Sequence, residues 1–353
     1  MFSTSVALSW SLNAGKVKSP GRRRNPGTGL RAIFGKPIMR KYVLKRLVSS
    51  IPVLFLVSGI IFFLIHLIPG DPIDYLFADE TLTPEIRAQY ERDLGLDRPL
   101  LIQYATWMGK VFRGDLGMSI QMGRPILDLI WERVPATLLL ALAATLVSIL
   151  IAIPAGIIAA IKRHTFYDYL FMTSALIGIS IPHFWLGILL ILFFSVFLDV
   201  LPSSGYRALL SDPVGSLEHL LLPAITLGAG MAAIVARMTR SEMLEEIGKE
   251  YVRTARAKGM PERRVIFRHI LKNALVPTIT ILGIQFGRLM GGMVVVEHVF
   301  AWPGLGSLVV DAVYSRDYPM VQALVLTFAV IAVSVNMAVD ILYQYVNPRI
   351  RLE

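Results

Sequence analysis

The sequence predicts an all-α, polytopic membrane protein with six transmembrane helices. Hydrophobic residues make up 55% of the 353 residues and charged residues only 17%, whereas soluble domains carry about 25% charged residues. The apolar residues are concentrated in six stretches that polar sequence separates. Lys and Arg cluster at alternate ends of these stretches, which is the pattern that orients the helices of a multi-pass protein.

The composition also restricts the chemistry of the chain. It contains no cysteine, which excludes disulfides, thiolate metal sites and cysteine nucleophiles. The net charge is +10, but seven of the basic residues lie in the first 38 residues, which contain no acid; we therefore expect no nucleic-acid partner. No GxxxxGK(S/T), HExxH or GxSxG motif is present, so we expect no enzymatic activity, and no cofactor or metal bound by this chain.

The N-terminal part of the chain is predicted to have three segments. Residues 1–38 are rich in Ser, Gly, Pro and Arg and lack apolar periodicity, which indicates a disordered basic extension, or extra residues upstream of a start at Met39. Residues 39–69 are predicted to be the first transmembrane helix, and the basic residues that precede its apolar stretch 47–68 place the N-terminus in the cytosol. Residues 70–133 begin with a PGDP chain reversal and contain more acids than bases, which predicts an extracytoplasmic insertion of mixed structure.

Residues 134–348 are predicted to form the transmembrane core. The second span is expected at 134–161, and the third is expected to be broken by Pro182. Basic residues follow the second, fourth and sixth spans, so both termini are predicted to be cytosolic and the loops 199–220 and 297–320 external. The remaining predicted spans are 169–198, 221–236, 274–296 and 321–346.

A long polar segment, residues 241–273, separates the fourth and fifth spans; we call it the polar segment. Glu245 lies four residues before Lys249, a favourable pair on a helix. Gly259 is placed like a residue just past a helix end, and Pro261 like the first residue of the next helix. Apolar residues recur at helical spacing on both sides of this turn: Leu244, Ile247, Tyr251 and Ala255 before it, and Phe267, Leu271 and Leu275 after it. The pattern predicts an amphipathic helix–turn–helix on the cytosolic side, which suits docking of another protein.

Arg288 is a candidate residue of a transport pathway. It lies about 14 residues, and hence about 21 Å, into the fifth span. Charged side chains within a span usually face a cavity or a partner, and an arginine in a pathway would attract a carboxylate; the alternative is a structural or snorkelling charge. Asp340 is predicted to lie near the cytosolic end of the sixth span and not to pair with Arg288. Gly283, Gly287 and Gly291 share one face, which favours helix packing either between subunits or within the chain.

The polar segment resembles the cytosolic coupling loop of binding-protein-dependent ABC importer permeases in its stretch YVRTARAKGMPERRVIFRHILKN. Gly259 falls on the glycine of the family motif and Ala255 on its second alanine, whereas Arg253 and Thr254 replace its glutamate and first alanine. Three other stretches resemble the dipeptide/oligopeptide/nickel permeases in order and spacing: MRKYVLKRLVSSIPVLFLVSGIIFFLIHLIPGDP, LGLDRPLLIQYATWMGKVFRGDLGMSI and EHVFAWPGLGSLVVDAVYSRDYP. The chain is similar to the first of the two permease subunits of this subfamily.

This resemblance implies a transport subunit of a bacterial inner membrane, forming half of a pathway for di- or oligopeptides. The implied partners are a second homologous permease, two ABC ATPases that bind ATP and Mg²⁺, an extracytoplasmic solute-binding protein and membrane lipid. Nickel, glutathione or another small solute is an alternative cargo. An ion-coupled secondary transporter is an alternative of a different class, but it would require ion-coupling groups at the midplane and an internal repeat, which the sequence does not show.

The resemblance also implies which residues couple transport to the ATPases. Gly259 would permit a tight turn and close approach to the ATPase, and Arg253, Arg256 and Lys258 would pair with its acids. The full predicted set in the coupling loop is Tyr251, Arg253, Thr254, Ala255, Arg256, Lys258, Gly259, Arg263 and Arg264.

Overall fold

The structure is a computed structural model, and it describes residues 37–67 and 98–346. Predictions for most of the extension 1–38, for the first part of the insertion and for the C-terminal residues 347–353 lie outside the described residues. Residues 1–47 and 48–353 are separate compact units; the described part of the first unit, residues 37–47, is helical.

The described residues are almost entirely helices and turns, and their only β-type pairing is an isolated antiparallel bridge between Met118 and Pro125. The helices, in chain order, are α1 (Pro37–Leu67), α2 (Leu100–Val111), α3 (Ile126–Ile161), α4 (Phe166–Ser180), α5 (His183–Leu190, continued by the π-helical turns Ile191–Phe197), α6 (Pro213–Ile247), α7 (Glu250–Ala257), α8 (Glu262–Arg264, continued by the π-helical turns Val265–Ile270), α9 (Leu271–Val299), α10 (Leu305–Tyr314) and α11 (Tyr318–Val346).

Five of these helices, α1, α3, α6, α9 and α11, are long and apolar enough to cross a membrane. The helices α4 and α5 form a pair bent by 105°, which makes a sixth span if the pair crosses as one unit. The bend falls at Pro182, as predicted. Ile181 adopts extended angles (φ −81°, ψ 124°) because the ring of a following proline disfavours the helical conformation.

The helix that contains the predicted fourth span extends beyond it in both directions. The helix α6 covers Pro213–Ile247 rather than 221–236, and Asp212 caps its start by accepting a hydrogen bond from the Gly215 N–H at 3.0 Å. The predicted loop 199–220 and the start of the polar segment are therefore partly helical. Hydropathy identifies only the apolar middle of this helix. Its two ends contain polar side chains that have bonding partners, so the helical conformation continues beyond the apolar stretch.

The helices α3 and α6 pack closely along their length through small residues. A Cβ atom at Gly228 would lie 2.7 Å from the carbonyl oxygen of Ala144, and one at Gly156 would lie 2.8 Å from that of Ala236. Such distances leave no room for a side chain, so the two backbones are in direct contact. Buried residues of α3, α6 and α9 form the largest apolar cluster of the described chain.

The segment predicted as the external loop 297–320 contains the helix α10 and several buried residues. The Glu297 carboxylate is fully buried and accepts hydrogen bonds from the Thr137 hydroxyl at 2.9 Å and from the N–H groups of Gly306 and Ser307 at 2.6 and 3.1 Å. The Thr137 oxygen in turn accepts from the Leu305 N–H at 2.8 Å. Glu297 and Thr137 thus cap the first turn of α10 and hold it against α3.

A buried ion pair joins the start of α4 to α6. Arg240 donates from Nε and a terminal nitrogen to the two oxygens of Asp168, at 2.6 and 2.8 Å. The Asp168 side chain is only 4% exposed, and it also accepts from the His164 N–H at 3.0 Å. Bidentate geometry of this kind orients both helices as well as pairing the charges.

Replacement of Thr137 by Val should destabilise the protein, because it removes the donor to Glu297 and the acceptor for the Leu305 N–H while preserving side-chain shape. Each buried group left without a partner costs about 1–3 kcal/mol. Thr145→Val is the matched control, since the Thr145 hydroxyl bonds only to the Ala141 carbonyl on the same helix. The midpoint of thermal unfolding in detergent should fall for Thr137→Val and change little for the control; equal midpoints would contradict this role.

Asp168→Asn should also lower the unfolding midpoint, because Arg240 would keep its charge in a largely buried position. Removal of one partner from a buried pair costs about 3 kcal/mol. Glu132→Gln is the control, since it breaks an ion pair with Arg124 in which both side chains are about half exposed; exposed pairs contribute little. A similar change in the two variants would show that the Asp168–Arg240 pair does not hold α4 against α6.

Candidate functional site

The polar segment is a folded element that packs on the end of α3. It consists of the last turns of α6, the helix α7, a turn at 258–261, and α8 with its π-helical continuation into α9. Its apolar side chains form a separate buried cluster with Ala160 of α3 and Met243 of α6: Val252, Ala255, Val265, Ile266, Ile270 and Ala274. The predicted helix–turn–helix is present, but its two ends are continuous with membrane-spanning helices.

Tyr251 connects three helices within this element. Its hydroxyl donates to the Glu246 carboxylate of α6 and accepts from the Asn273 amide of α9 at 3.0 Å. Lys249 contacts the same carboxylate at 2.5 Å and Glu245 at 3.3 Å, which confirms the predicted Glu245–Lys249 pair. Burial, together with the bond to Glu246, raises the pKa of the Tyr251 hydroxyl, so this hydroxyl stays protonated and able to donate.

The turn between α7 and α8 has the backbone that the sequence predicts at Gly259. Gly259 has a φ of +72°, a conformation that side chains disfavour, and no atom lies within 4 Å of the position that a Cβ would occupy. Pro261 was predicted to be the first residue of the next helix, but it is the residue before that helix (φ −61°, ψ 136°), and α8 begins at Glu262. The glycine is therefore required by the turn itself, and the space around it is open.

The predicted apolar stripe of the second helix is wrong in one respect. Phe267 is 53% exposed, whereas Val265, Ile266 and Ile270 are buried. The reason is the π-helical turn Val265–Ile270: its hydrogen bonds span five residues instead of four, which rotates the following side chains away from the α-helical pattern. A single π-helical turn leaves no clear mark in the sequence.

The basic residues of the polar segment fall into two groups. Arg253 donates to Glu250 at 2.8 Å, and Arg256 is paired with Glu262 at 2.6 Å; both arginines thus have acidic partners within the chain. Thr254 bonds the backbone of its own helix. Five basic residues of the segment have no ion pair in the described part of the chain and are exposed: Lys258, Arg263 and Arg264 around the turn, and Arg268 and Lys272 further along.

Arg288 lies at a second site, a cavity of about 230 Å³ enclosed by α4, α5, α6 and α9. Its polar lining consists of His183, Gln285 and Arg288, and the rest is apolar or glycine. Arg288 forms no ion pair within the described residues. This agrees with the prediction that Arg288 and Asp340 do not pair. Sequence analysis missed Gln285, and the only signal for His183 was its place directly after Pro182.

The glycine face of α9 packs within the chain. A Cβ at Gly283 would lie 2.7 Å from a Val339 side-chain carbon, and one at Gly287 would lie 3.2 Å from the Asn336 amide oxygen, both on α11. At Gly291 a Cβ would meet nothing within 4 Å. Of the two alternatives from the sequence, packing inside the same chain applies to Gly283 and Gly287.

Comparison with known proteins agrees with this architecture. Residues 152–352 match the family model of the binding-protein-dependent transport system inner membrane component, and residues 39–141 match its N-terminal model. The chain is 44% identical over 313 residues to the glutathione transport system permease protein GsiC of Escherichia coli K12 and 43% identical over 333 residues to the di/tripeptide transport system permease protein DppB of Pseudomonas aeruginosa. Each alignment covers 89% of this chain and 99% of the relative.

Among solved structures, an inward-facing form of the MetNI methionine ABC transporter matches with a TM-score of 0.54 at 20% identity. The match covers 64% of this chain and all of the matched chain, and it concerns the fold. These findings favour an ABC importer over an ion-coupled secondary transporter. The chain belongs to the binding-protein-dependent transport system inner membrane components, as a permease of the peptide/oligopeptide family, and is thus a transport subunit of a bacterial inner membrane rather than an enzyme.

Proposed function

We propose that the chain forms half of the translocation pathway for di- or oligopeptides, together with a second homologous permease subunit. The support is the chemistry common to two relatives, whose names specify glutathione and di/tripeptides. Glutathione is itself a tripeptide, so both names describe short peptides with a free carboxylate. Glutathione as the principal cargo, nickel or another small solute are the alternatives.

The complex is proposed to contain two ABC ATPase subunits, one for each permease, which would bind the ATP and Mg²⁺. The polar segment of this chain would dock into one of them. One observation carries this proposal: the segment is anchored on one side and open on the other. Its apolar side is buried against α3 and α6, while the turn at Gly259 has free space and is surrounded by exposed, unpaired basic residues. An acidic groove on a partner would complement this surface.

Anchoring through Tyr251 would transmit movement from the ATPases to the pathway. The hydroxyl of Tyr251 bonds to Glu246 at the end of α6 and to Asn273 at the start of α9. Displacement of the turn would therefore act on both helices at once, rather than bending a loop between them.

We further propose the orientation of the chain in the membrane. Basic residues at the ends of the spans place the polar segment and both termini in the cytosol. The opposite side, with residues 70–133 and the buried α10 region, would receive substrate from an extracytoplasmic solute-binding protein. Arg288 would then lie in the pathway between the two sides.

Gly259→Glu should uncouple the transporter, so that the reconstituted complex hydrolyses ATP without peptide uptake. The side chain would strain the turn and occupy the space left for the ATPase. Gly114→Glu is the control, because Gly114 has a similar φ of +82° and equally open surroundings but lies outside the polar segment. Uptake and ATP hydrolysis are measured in the same vesicles, and wild-type uptake by Gly259→Glu would refute the docking role.

Tyr251→Phe should loosen the polar segment while leaving its apolar packing intact. Loss of a hydrogen bond to a charged group is expected to accelerate amide hydrogen exchange in residues 250–261 by about tenfold, and to reduce the uptake per ATP hydrolysed. Tyr169→Phe is the control, since the Tyr169 ring is 62% exposed and its hydroxyl bonds to no described residue. Unchanged exchange in Tyr251→Phe would show that the hydroxyl does not anchor the segment.

A further inference from the structure

We propose that the cavity lined by His183, Gln285 and Arg288 is a binding subsite for a carboxylate of the transported substrate. This inference rests on the proposed peptide-transport function and adds to it the chemical group that the chain itself recognises. Three features of the cavity support it: the Gln285 amide, which has no partner in the described chain; the Arg288 guanidinium, which has no acidic partner there; and the start of the helix α5.

The first feature is the Gln285 side chain. It is 8% exposed, it lines the cavity, and its amide makes no hydrogen bond to any described residue. The amide atoms are accessible from the cavity rather than sealed inside the protein, so a ligand in the cavity could reach them. A ligand that accepts a hydrogen bond would satisfy this amide.

The second feature is Arg288, which lies three residues after Gln285 on α9 and hence on the same face of the helix. Arg288 has no acidic partner in the described chain, and the residues that line the cavity include no Asp or Glu. A guanidinium group binds carboxylates in a planar, two-bond geometry. Within the described chain, the cavity therefore combines the positive charge of Arg288, which no acid neutralises, with the available amide donor of Gln285.

The third feature is the start of α5. His183 is the first residue of this helix after the break at Pro182, where the N–H groups of the first turn have no partner within the helix. Helix starts of this kind in broken transmembrane helices attract anionic substrate groups. The His183 ring lies against Gly230, where a Cβ would come within 2.2 Å of the ring, so the glycine makes room for the imidazole beside the cavity.

The size of the cavity limits what it can hold. Sites for whole small-molecule ligands have volumes of about 300–1,000 Å³, whereas this cavity has about 230 Å³. It has room for a carboxylate with its neighbouring atoms, and the rest of a peptide would extend beyond it. That group is either the terminal carboxylate of a peptide or the carboxylate of an acidic side chain.

The absence of cysteine in the whole chain permits a direct test by charge replacement. Arg288→Cys in the complete transporter, assayed in membrane vesicles, should lower uptake of radiolabelled trialanine by about tenfold or more. Modification with aminoethyl methanethiosulfonate, which restores a positive charge, should recover uptake. The anionic sulfonatoethyl and neutral methyl reagents should not. The mass of the intact chain verifies each adduct.

Two controls accompany this test. Unmodified wild-type chain, treated identically, reports any effect of the reagents on the partner subunits. Arg113→Cys loses an exposed arginine that does not line the cavity, and its uptake should stay within about twofold of wild type with every adduct. Arg288→Lys retains the charge and should keep most of the activity, which distinguishes loss of charge from loss of folding.

Gly230→Ala tests the cavity independently, because the added methyl group would displace the His183 ring and lower trialanine uptake. Gly109→Ala is its match, because Gly109 lies on the helix α2, does not line the cavity, and has no atom within 4 Å of the position that a Cβ would occupy. Wild-type uptake by Gly230→Ala would exclude His183 from the subsite.

The outcomes separate the two proposals. If wild-type vesicles take up neither trialanine nor glutathione, the proposed function fails. If they take up trialanine, the subsite is refuted by full uptake of both trialanine and Ala-Glu-Ala amide in Arg288→Cys, by equal recovery with the neutral adduct, or by failure of the thiol to react in intact vesicles. Cationic recovery of trialanine uptake, but not of Ala-Glu-Ala amide uptake, assigns the terminal carboxylate; the reverse result assigns a side-chain carboxylate.

Discussion

The direct backbone contact between α3 and α6 is the constraint on which the rest of the structure depends. At Gly156 and Gly228 the carbonyl groups of the facing helix occupy the space of a side chain, so the two helices can approach this closely in this register only with glycine at these positions. The helices α4, α5 and α9 then pack against α6, and the apolar end of the polar segment packs on α3. The glycine contact between α3 and α6 therefore positions both candidate sites, although its residues belong to neither site.

Two buried acids in this apolar structure are satisfied by specific partners. Glu297 receives a hydroxyl and two N–H donors, and Asp168 receives a bidentate arginine and one N–H donor. These groups order the α10 region and the start of α4. Gln285 is 8% exposed, has no hydrogen-bond partner in the described chain and lines a cavity. The buried hydroxyls of Ser148 and Ser216 also lack a partner in the described chain, but they do not line this cavity, so the position of Gln285 is what indicates a ligand.

The two candidate sites share the same helices. The cavity walls include Gly230 and Met231 on α6 and Arg288 on α9, and the polar segment is the connection between these two helices. Under the proposed function, an ATPase that moves the turn at Gly259 would therefore change the separation of the cavity walls.

The helical membrane class, the break at Pro182, the glycine turn at 259 and the family could be predicted from the sequence, because apolar length, proline chemistry, backbone sterics and local motifs depend on residues that are close together in the chain. The ends of α6, the exposure of Phe267 and the position of His183 beside Gln285 and Arg288 required the three-dimensional structure. Helix ends depend on distant partners such as Asp168 for Arg240. A π-helical turn changes the period within a few residues, and a cavity between four helices depends on how closely glycines let those helices approach.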